Sequence, residues 1–155
     1  MEKYGYRFSF GPWNIHSGAD PFGPPVRAER SFADKLGQYR GLGFDAVQFH
    51  DDDAVPGLDE LTPLQIRRRA RKVKRQIDDA GLLAEFVAPR LWESPRTVDG
   101  AYTANDPEAR RYAIERTKRA ADIAHELGTD LMVLWLAREG TYMRESKDPV
   151  RATGQ

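Results

Sequence analysis

The chain has 155 residues, enough for one domain with a buried core, and its 24 basic and 24 acidic side chains cancel to a formal net charge of zero. This balance gives no overall attraction to nucleic acid, and the absence of cysteine excludes disulfides and thiolate metal sites. No apolar run approaches membrane-spanning length, and the first residues lack the apolar core of a signal peptide. We therefore expect a cytoplasmic protein with neither a membrane nor a nucleic-acid partner.

An opening strand is predicted in residues 6–13, and a unit of helix, glycine and short strand then follows three times. The helices are predicted from Ser31 to Gly43, from Thr62 to Gly81 and from Asp106 to Gly128, because each begins at a capping residue and ends at glycine. The strands that follow them read DAVQFH, LLAEFVAP and DLMVLWL. This order is typical of parallel strands joined by helical crossovers, either in an open doubly wound sheet or in part of a (β/α)₈ barrel.

A basic stretch, RRRARKVKR in residues 67–75, is typical of nuclear-localisation or nucleic-acid patches. Apolar residues recur through it at helical spacing, at Ile66, Ala70, Val73 and Ile77. No aromatic side chain is interleaved with the charges to stack on bases. We interpret the stretch as a helix with one buried stripe and a solvated basic face.

No glycine-rich phosphate-binding motif follows the first strand, which disfavours a nucleotide-binding fold. A full barrel takes about 250 residues, so four strands correspond to only part of one. The chain is therefore expected to be one partial barrel domain over residues 1–155.

The carboxyl ends of the predicted strands carry the candidate site, because active sites of parallel α/β proteins lie there. All three tryptophans, Trp13, Trp92 and Trp135, follow strands one, three and four. Aromatic rings around a polar centre suit a carbohydrate, whose C–H faces pack on rings. The alternative is that these rings cap the barrel as part of its core. Polar residues at the same ends are His16, Arg90, Arg138 and Glu139.

The second strand ends in the acidic sequence His50, Asp51, Asp52, Asp53. A turn could return the Asp53 carboxylate to one imidazole nitrogen, fixing the tautomer and leaving the other nitrogen to exchange a proton with substrate. A metal site is the weaker hypothesis, because three adjacent aspartates cannot all point at one ion from a single turn. An acidic run that caps a helix or solvates a loop explains the spacing equally well.

Five segments, RFSFGPW, ADPFG, FHDDDAVP, YTANDPEARRYA and LWLAREG, together resemble the N-terminal part of D-xylose isomerases, the actinobacterial type especially. The resemblance runs in order from about residue 6 to residue 148. It implies a TIM barrel assembled as a homotetramer, acting on an aldose sugar: D-xylose to D-xylulose, and often D-glucose to D-fructose. It also implies Mg²⁺ or Mn²⁺ assisting a 1,2-hydride shift in the open-chain sugar.

The same resemblance implies roles for individual residues. His50 matches the histidine that helps to open the sugar ring, and Asp53 matches the aspartate that orients it. Asp51 and Asp52 are then expected to shape and solvate the loop. Trp13 and Trp135 match tryptophans near the substrate, and Trp92 stands where the family has a phenylalanine wall. Phe22 matches a phenylalanine that reaches into the neighbouring subunit's pocket.

The chain departs from that family in the loop after the third strand, where APRLW in residues 88–92 replaces the common TTNLF. Because this loop forms part of the pocket wall, the resemblance does not determine which sugar is preferred. The family's metal ligands correspond to positions beyond residue 155, so no metal ligand is assigned, and we expect the 155-residue chain alone to be inactive and poorly folded. Two alternatives stay open. The first is another enzyme of the same barrel superfamily, either a sugar isomerase or epimerase or a metal-dependent endonuclease. The second is a non-catalytic half-barrel.

Overall fold

A three-stranded parallel sheet covered by helices forms the centre of the molecule, in a computed structural model that describes residues 5–20, 23–139 and 147–154. The strands are β1 (Ser9–Phe10), β2 (Ala46–His50) and β3 (Leu83–Ala88), hydrogen-bonded in the order β1-β2-β3. The helices are α1 (Phe32–Gly41), α2 (Asp51–Ala54), α3 (Pro63–Asp79), α4 (Pro107–Leu127) and α5 (Pro149–Thr153). The predicted architecture, a partial α/β barrel, is confirmed.

The three long helices begin at the residues that the sequence indicates. Ser31 Oγ accepts a hydrogen bond from the Asp34 amide, and the Thr62 and Gln65 side chains form a reciprocal capping box. Asp106 accepts from the Glu108 amide at the start of α4. At its other end α4 stops at Gly128, whose φ of 78° is a left-handed conformation that favours glycine.

One continuous core fills the layer between the outer face of the sheet and the helices. Val47, Phe49 and Val87 supply the sheet side of this core and are fully buried. The helix side includes Leu36, Tyr39, Ile66, Ala70, Ile77, Ala120, Ile123 and Leu127. Three of these, Ile66, Ala70 and Ile77, belong to the apolar stripe predicted within the basic stretch, so that interpretation is confirmed.

The first and fourth strands are shorter than the sequence predicts. The first covers only Ser9–Phe10, because Pro12 lacks an amide hydrogen and the chain turns into a 3₁₀ helix over Pro12–Asn14. The fourth is a single parallel bridge between Val87 and Met132, in which Val87 donates to Leu131 O and accepts from the Val133 amide. Beyond Val133, residues 134–136 pair with no strand in the described part of the chain.

Candidate functional site

His50 is the last residue of β2 and immediately precedes α2, so the sheet fixes its backbone. The Asp53 carboxylate folds back over the first turn of α2: its Oδ2 accepts from the His50 amide at 3.0 Å and lies 2.9 Å from Nδ1 of the ring. The side chains thus make the contact that the three-residue spacing suggested. With His50 only 6% exposed, the ring is held in one orientation. Nε2 makes no hydrogen bond to the described residues.

Asp53 remains ionised in this setting. Burial raises the pKa of its carboxyl, but the hydrogen bonds from His50 and the charge of Arg90 outweigh burial and hold the pKa below its usual range. A carboxylate in this position orients the imidazole and stabilises a proton on it. Asp53 and His50 therefore have the geometry of a proton-transfer pair.

Arg90, directly after β3, bridges the acidic residues. Its Nε donates to Asp52 Oδ1 at 2.9 Å, its Nη2 donates to Asp53 Oδ1 at 2.8 Å, and Nη1 lies 3.2 Å from Glu93 Oε1. The same Nη2 is 2.7 Å from His50 Nδ1. Asp52 differs from Asp53, because burial and the neighbouring Asp51 charge outweigh the two arginines and raise the pKa of its carboxyl. The loop that follows β3 thus reaches both His50 and Asp53 through Arg90.

Asp51 shapes the loop, as expected, but it does so as a buried anchor and not by solvating it. It is fully buried, and Arg116 of α4 donates to both of its oxygens, from Nε at 2.7 Å and from Nη2 at 2.9 Å. Asp51 Oδ1 also accepts from the Arg90 amide at 3.0 Å. The expectation of solvation was wrong because a sequence of three aspartates does not show that a buried arginine faces the first of them.

The three tryptophans meet around His50. The Trp13 ring centroid is 4.2 Å from that of the imidazole, and the Trp92 centroid is 5.1 Å away at a near-perpendicular angle. Trp135 packs on Trp92 at 4.9 Å and is 60% exposed, so it forms the outer edge of the cluster. Phe22 lies outside the described residues.

The remaining polar residues at the strand ends are spread around this cluster. Arg138 Nε donates to the Trp92 carbonyl oxygen at 3.3 Å. The Glu139 carboxylate accepts from three consecutive backbone amides, those of Ala101, Tyr102 and Thr103, and from the Thr103 hydroxyl. Burial raises the pKa of Glu139, but these bonds outweigh burial and lower it. Glu139 therefore ties the segment after the fourth strand to the loop before α4.

The described residues, 5–20, 23–139 and 147–154, contain no group of three or more His, Asp or Glu side chains placed to hold a metal ion. The acidic cluster does not fit a divalent cation, because Asp51, Asp52 and Asp53 already accept hydrogen bonds from Arg116 and Arg90. A metal there would have to displace two guanidinium groups. The arrangement suits proton transfer beside an aromatic wall.

Sequence reasoning named His50, Asp53, Trp13, Trp92 and Trp135, and the structure places these five side chains together. Their catalytic and binding roles stay predictions. The bridging position of Arg90 was not predicted from the sequence, where Arg90 counted only as an added charge. Arg116 was not predicted either, although a signal existed: Arg116 interrupts the otherwise apolar stripe Ala109, Ala113, Ala120 and Ile123 of α4.

Comparison with known proteins gives a consistent family. Residues 36–152 match the family described as "Xylose isomerase-like TIM barrel". The xylose isomerases of Thermus thermophilus and Thermus caldophilus are each 35% identical to the chain over 152 residues. Those alignments cover 97% of this chain and 37% of each relative, so the chain spans well under half the length of these relatives.

Among solved structures, a "xylose isomerase-like TIM barrel/4-hydroxyphenylpyruvate dioxygenase fusion protein" superposes with a TM-score of 0.48 at 19% identity. The superposition covers 81% of this chain and 15% of that protein. In the described part of the chain, no helix is both long enough and apolar enough to cross a membrane.

Proposed function

The chain belongs to the xylose isomerase-like TIM-barrel family, and from that premise we propose that it is the N-terminal part of an aldose–ketose isomerase. The proposed reaction is the conversion of D-xylose to D-xylulose, with D-glucose and D-fructose as a second pair. The observation that carries the proposal is the His50–Asp53 pair, bonded at 2.9 Å and faced by Trp13 and Trp92.

The proposed task of this pair is to open the cyclic sugar. Ring opening breaks the O1–H and C1–O5 bonds of the pyranose and forms a C1=O1 carbonyl and an O5–H bond. One proton therefore leaves the anomeric hydroxyl and one reaches the ring oxygen. His50 Nε2, which no described residue bonds, can accept the first proton and return it to O5, while Asp53 stabilises the charged ring in between. The histidine ends in its starting state.

The tryptophans support a sugar as the substrate. A pyranose presents C–H groups on its faces and hydroxyls on its rim, so it packs on indole rings and directs its oxygens to polar groups. Trp13 and Trp92 border His50 on two sides, and Trp135 extends the wall outward. In the proposed binding mode, a sugar packed on this wall has its ring oxygen next to the imidazole.

The described residues hold no set of metal ligands, so we assign only the proton transfer to this part of the chain. Use of Mg²⁺ or Mn²⁺, homotetrameric assembly, a pocket contribution from Phe22 and a cytoplasmic location are further proposals that rest on the family. The actinobacterial subtype is likewise a proposal.

The test compares the complete polypeptide encoded by the gene with the 155-residue chain. Each is incubated with D-xylose and Mg²⁺, and D-xylulose is measured by NMR. We expect ketose only from the complete polypeptide, strongly reduced by His50→Gln and unchanged by His125→Gln, because His125 lies in the last turn of α4 away from the strand ends. Absence of ketose from a folded complete polypeptide contradicts the proposal. Activity of the 155-residue chain alone contradicts the assignment of only the proton transfer to this part.

A second candidate, a sugar epimerase or different isomerase of the same family, is favoured by the position of Arg90. This guanidinium lies 2.7 Å from His50 Nδ1 and alters the wall that would select the sugar. The discriminating measurement is product identity: incubation with a ketohexose should yield a C3 epimer if the protein is an epimerase and an aldose if it is an isomerase, and the aldose formed distinguishes the two isomerase candidates.

A further inference from the structure

His50 Nδ1 has two neighbours that it cannot satisfy at once. Asp53 Oδ2 lies at 2.9 Å and, as a carboxylate, can only accept a hydrogen bond. Arg90 Nη2 lies at 2.7 Å and, as a guanidinium, can only donate one. Nδ1 therefore bonds Asp53 when it carries the proton and Arg90 when it does not. Each partner selects a different tautomer of the ring.

We propose that Arg90 is a positioning residue that makes both neutral tautomers of His50 accessible and limits the lifetime of the doubly protonated ring. When Nδ1–H bonds Asp53, Nε2 faces the sugar as a proton acceptor. When Nδ1 accepts from Arg90, Nε2–H faces the sugar as a donor. The inference rests on the proposed function, since it concerns the same ring-opening step.

Arg90 is held firmly enough to act in this way. Asp52 Oδ1, Asp53 Oδ1 and Glu93 Oε1 accept from three different nitrogens of its guanidinium. Its backbone amide donates to Asp51, which Arg116 fixes from the opposite side. Moving Arg90 away from His50 would break several charge-assisted bonds together.

The charged and titratable side chains around His50 come from helices α1, α2 and α4 and from the segment after β3. Helix α2 supplies Asp51, Asp52 and Asp53, and the segment after β3 supplies Arg90 and Glu93. Helix α4 supplies Arg116 behind Asp51. Helix α1 supplies the Tyr39 hydroxyl, which donates to Gly11 O; burial chiefly, with the Asp53 charge added, raises the pKa of that hydroxyl. Trp13 and Trp92 cover the ring without charge.

Ring opening needs the ring to be protonated only in passing. The proton taken from O1–H resides on Nε2 until it reaches O5, and during that time the ring bears a positive charge that Asp53 favours. The Arg90 cation next to Nδ1 opposes the same charge, so it promotes return of the proton to the sugar. Without this cation, return of the proton from the ring to the sugar should be slower.

The test is Arg90→Asn, which restores the residue common in the family, in the complete polypeptide labelled with ¹⁵N-histidine. His50→Gln assigns the His50 signals. We expect wild type to show ¹⁵N shifts averaged between the two neutral tautomers, and Arg90→Asn to show the Nδ1–H tautomer alone. The control Arg96→Asn, an exposed arginine, should match wild type. Unchanged tautomer populations in Arg90→Asn overturn the proposal.

Arg90→Lys gives a second readout, because it keeps the positive charge but cannot span Asp52 and Asp53. It should change the tautomer populations by less than Arg90→Asn does, and it replaces Arg90→Asn if that variant does not fold. A tautomer change in a protein without isomerase activity refutes the proposed function and leaves the Arg90 inference standing.

Discussion

Arg116→Met is the substitution that reveals how much of the acidic cluster is structural. The Arg116 guanidinium makes two bonds to Asp51, at 2.7 and 2.9 Å, and a third to Asp52 at 3.3 Å. Arg116 is 5% exposed and Asp51 is 0% exposed. Methionine keeps much of the side-chain volume and removes every donor. Asp51 would then keep only the backbone amides of Asp52 and Arg90.

The expected loss in the free energy of unfolding is about 3–5 kcal/mol, the usual cost of removing one partner of a buried ion pair. The matched control is Arg111→Met, five residues earlier in α4. Arg111 bonds Glu108 at 3.0 Å, and both side chains are exposed. That variant should lose no more than about 0.5 kcal/mol.

The assay is chemical denaturation of the complete polypeptide at neutral pH, followed by circular dichroism. The double variant Asp51→Asn with Arg116→Met completes the comparison, because it removes both charges. Its loss should be smaller than the sum of the two single losses, by on the order of 0.5–3 kcal/mol. A loss for Arg116→Met no larger than that for Arg111→Met would refute the assignment of Asp51 as an anchor.

Two further substitutions test other contacts of the site. Glu139→Gln should make the free energy of unfolding fall less steeply below about pH 4.5, because a carboxyl whose pKa is lowered from 4.5 in the folded state contributes stability above that pH and loses it as the pH drops. Chemical denaturation at pH 7, 5, 4 and 3 checks this, with Glu108→Gln as the exposed control. A fall as steep as that of the wild type contradicts the prediction. Trp92→Ala should raise KM for the aldose roughly threefold to tenfold, corresponding to about 0.5–1.5 kcal/mol of ring packing, whereas Trp92→Phe should change it little. A fall in kcat at constant KM would contradict this role of Trp92.

Local signals predicted most of the fold because they depend on short spacings. The caps at Ser31, Thr62 and Asp106 need only the next few residues, and the apolar stripe of α3 needs only its own period. The lengths of the first and fourth strands were overestimated. Strand length depends on a partner across the sheet, which a single segment does not contain.

The parts of the site that could be predicted are those whose position follows from the strand topology alone. Parallel strands present their carboxyl ends at one edge, so residues that follow different strands, such as Trp13, His50 and Trp92, meet there. The contacts of Arg90 and Arg116 were not predictable in the same way. Each pairs with aspartates 37 or more residues away in the sequence, and which charge meets which is settled by side-chain packing.

The most direct test of ring opening by His50 compares two substrates in the complete polypeptide. D-xylose must be opened before it can isomerise, whereas its 4,5-dideoxy analogue has no hydroxyl that can close a ring. His50→Gln should lower kcat/KM for D-xylose by about 10²–10⁴, the usual contribution of a general acid or base, and leave the analogue unaffected. Equal losses with both substrates, or no loss with D-xylose, would contradict the account.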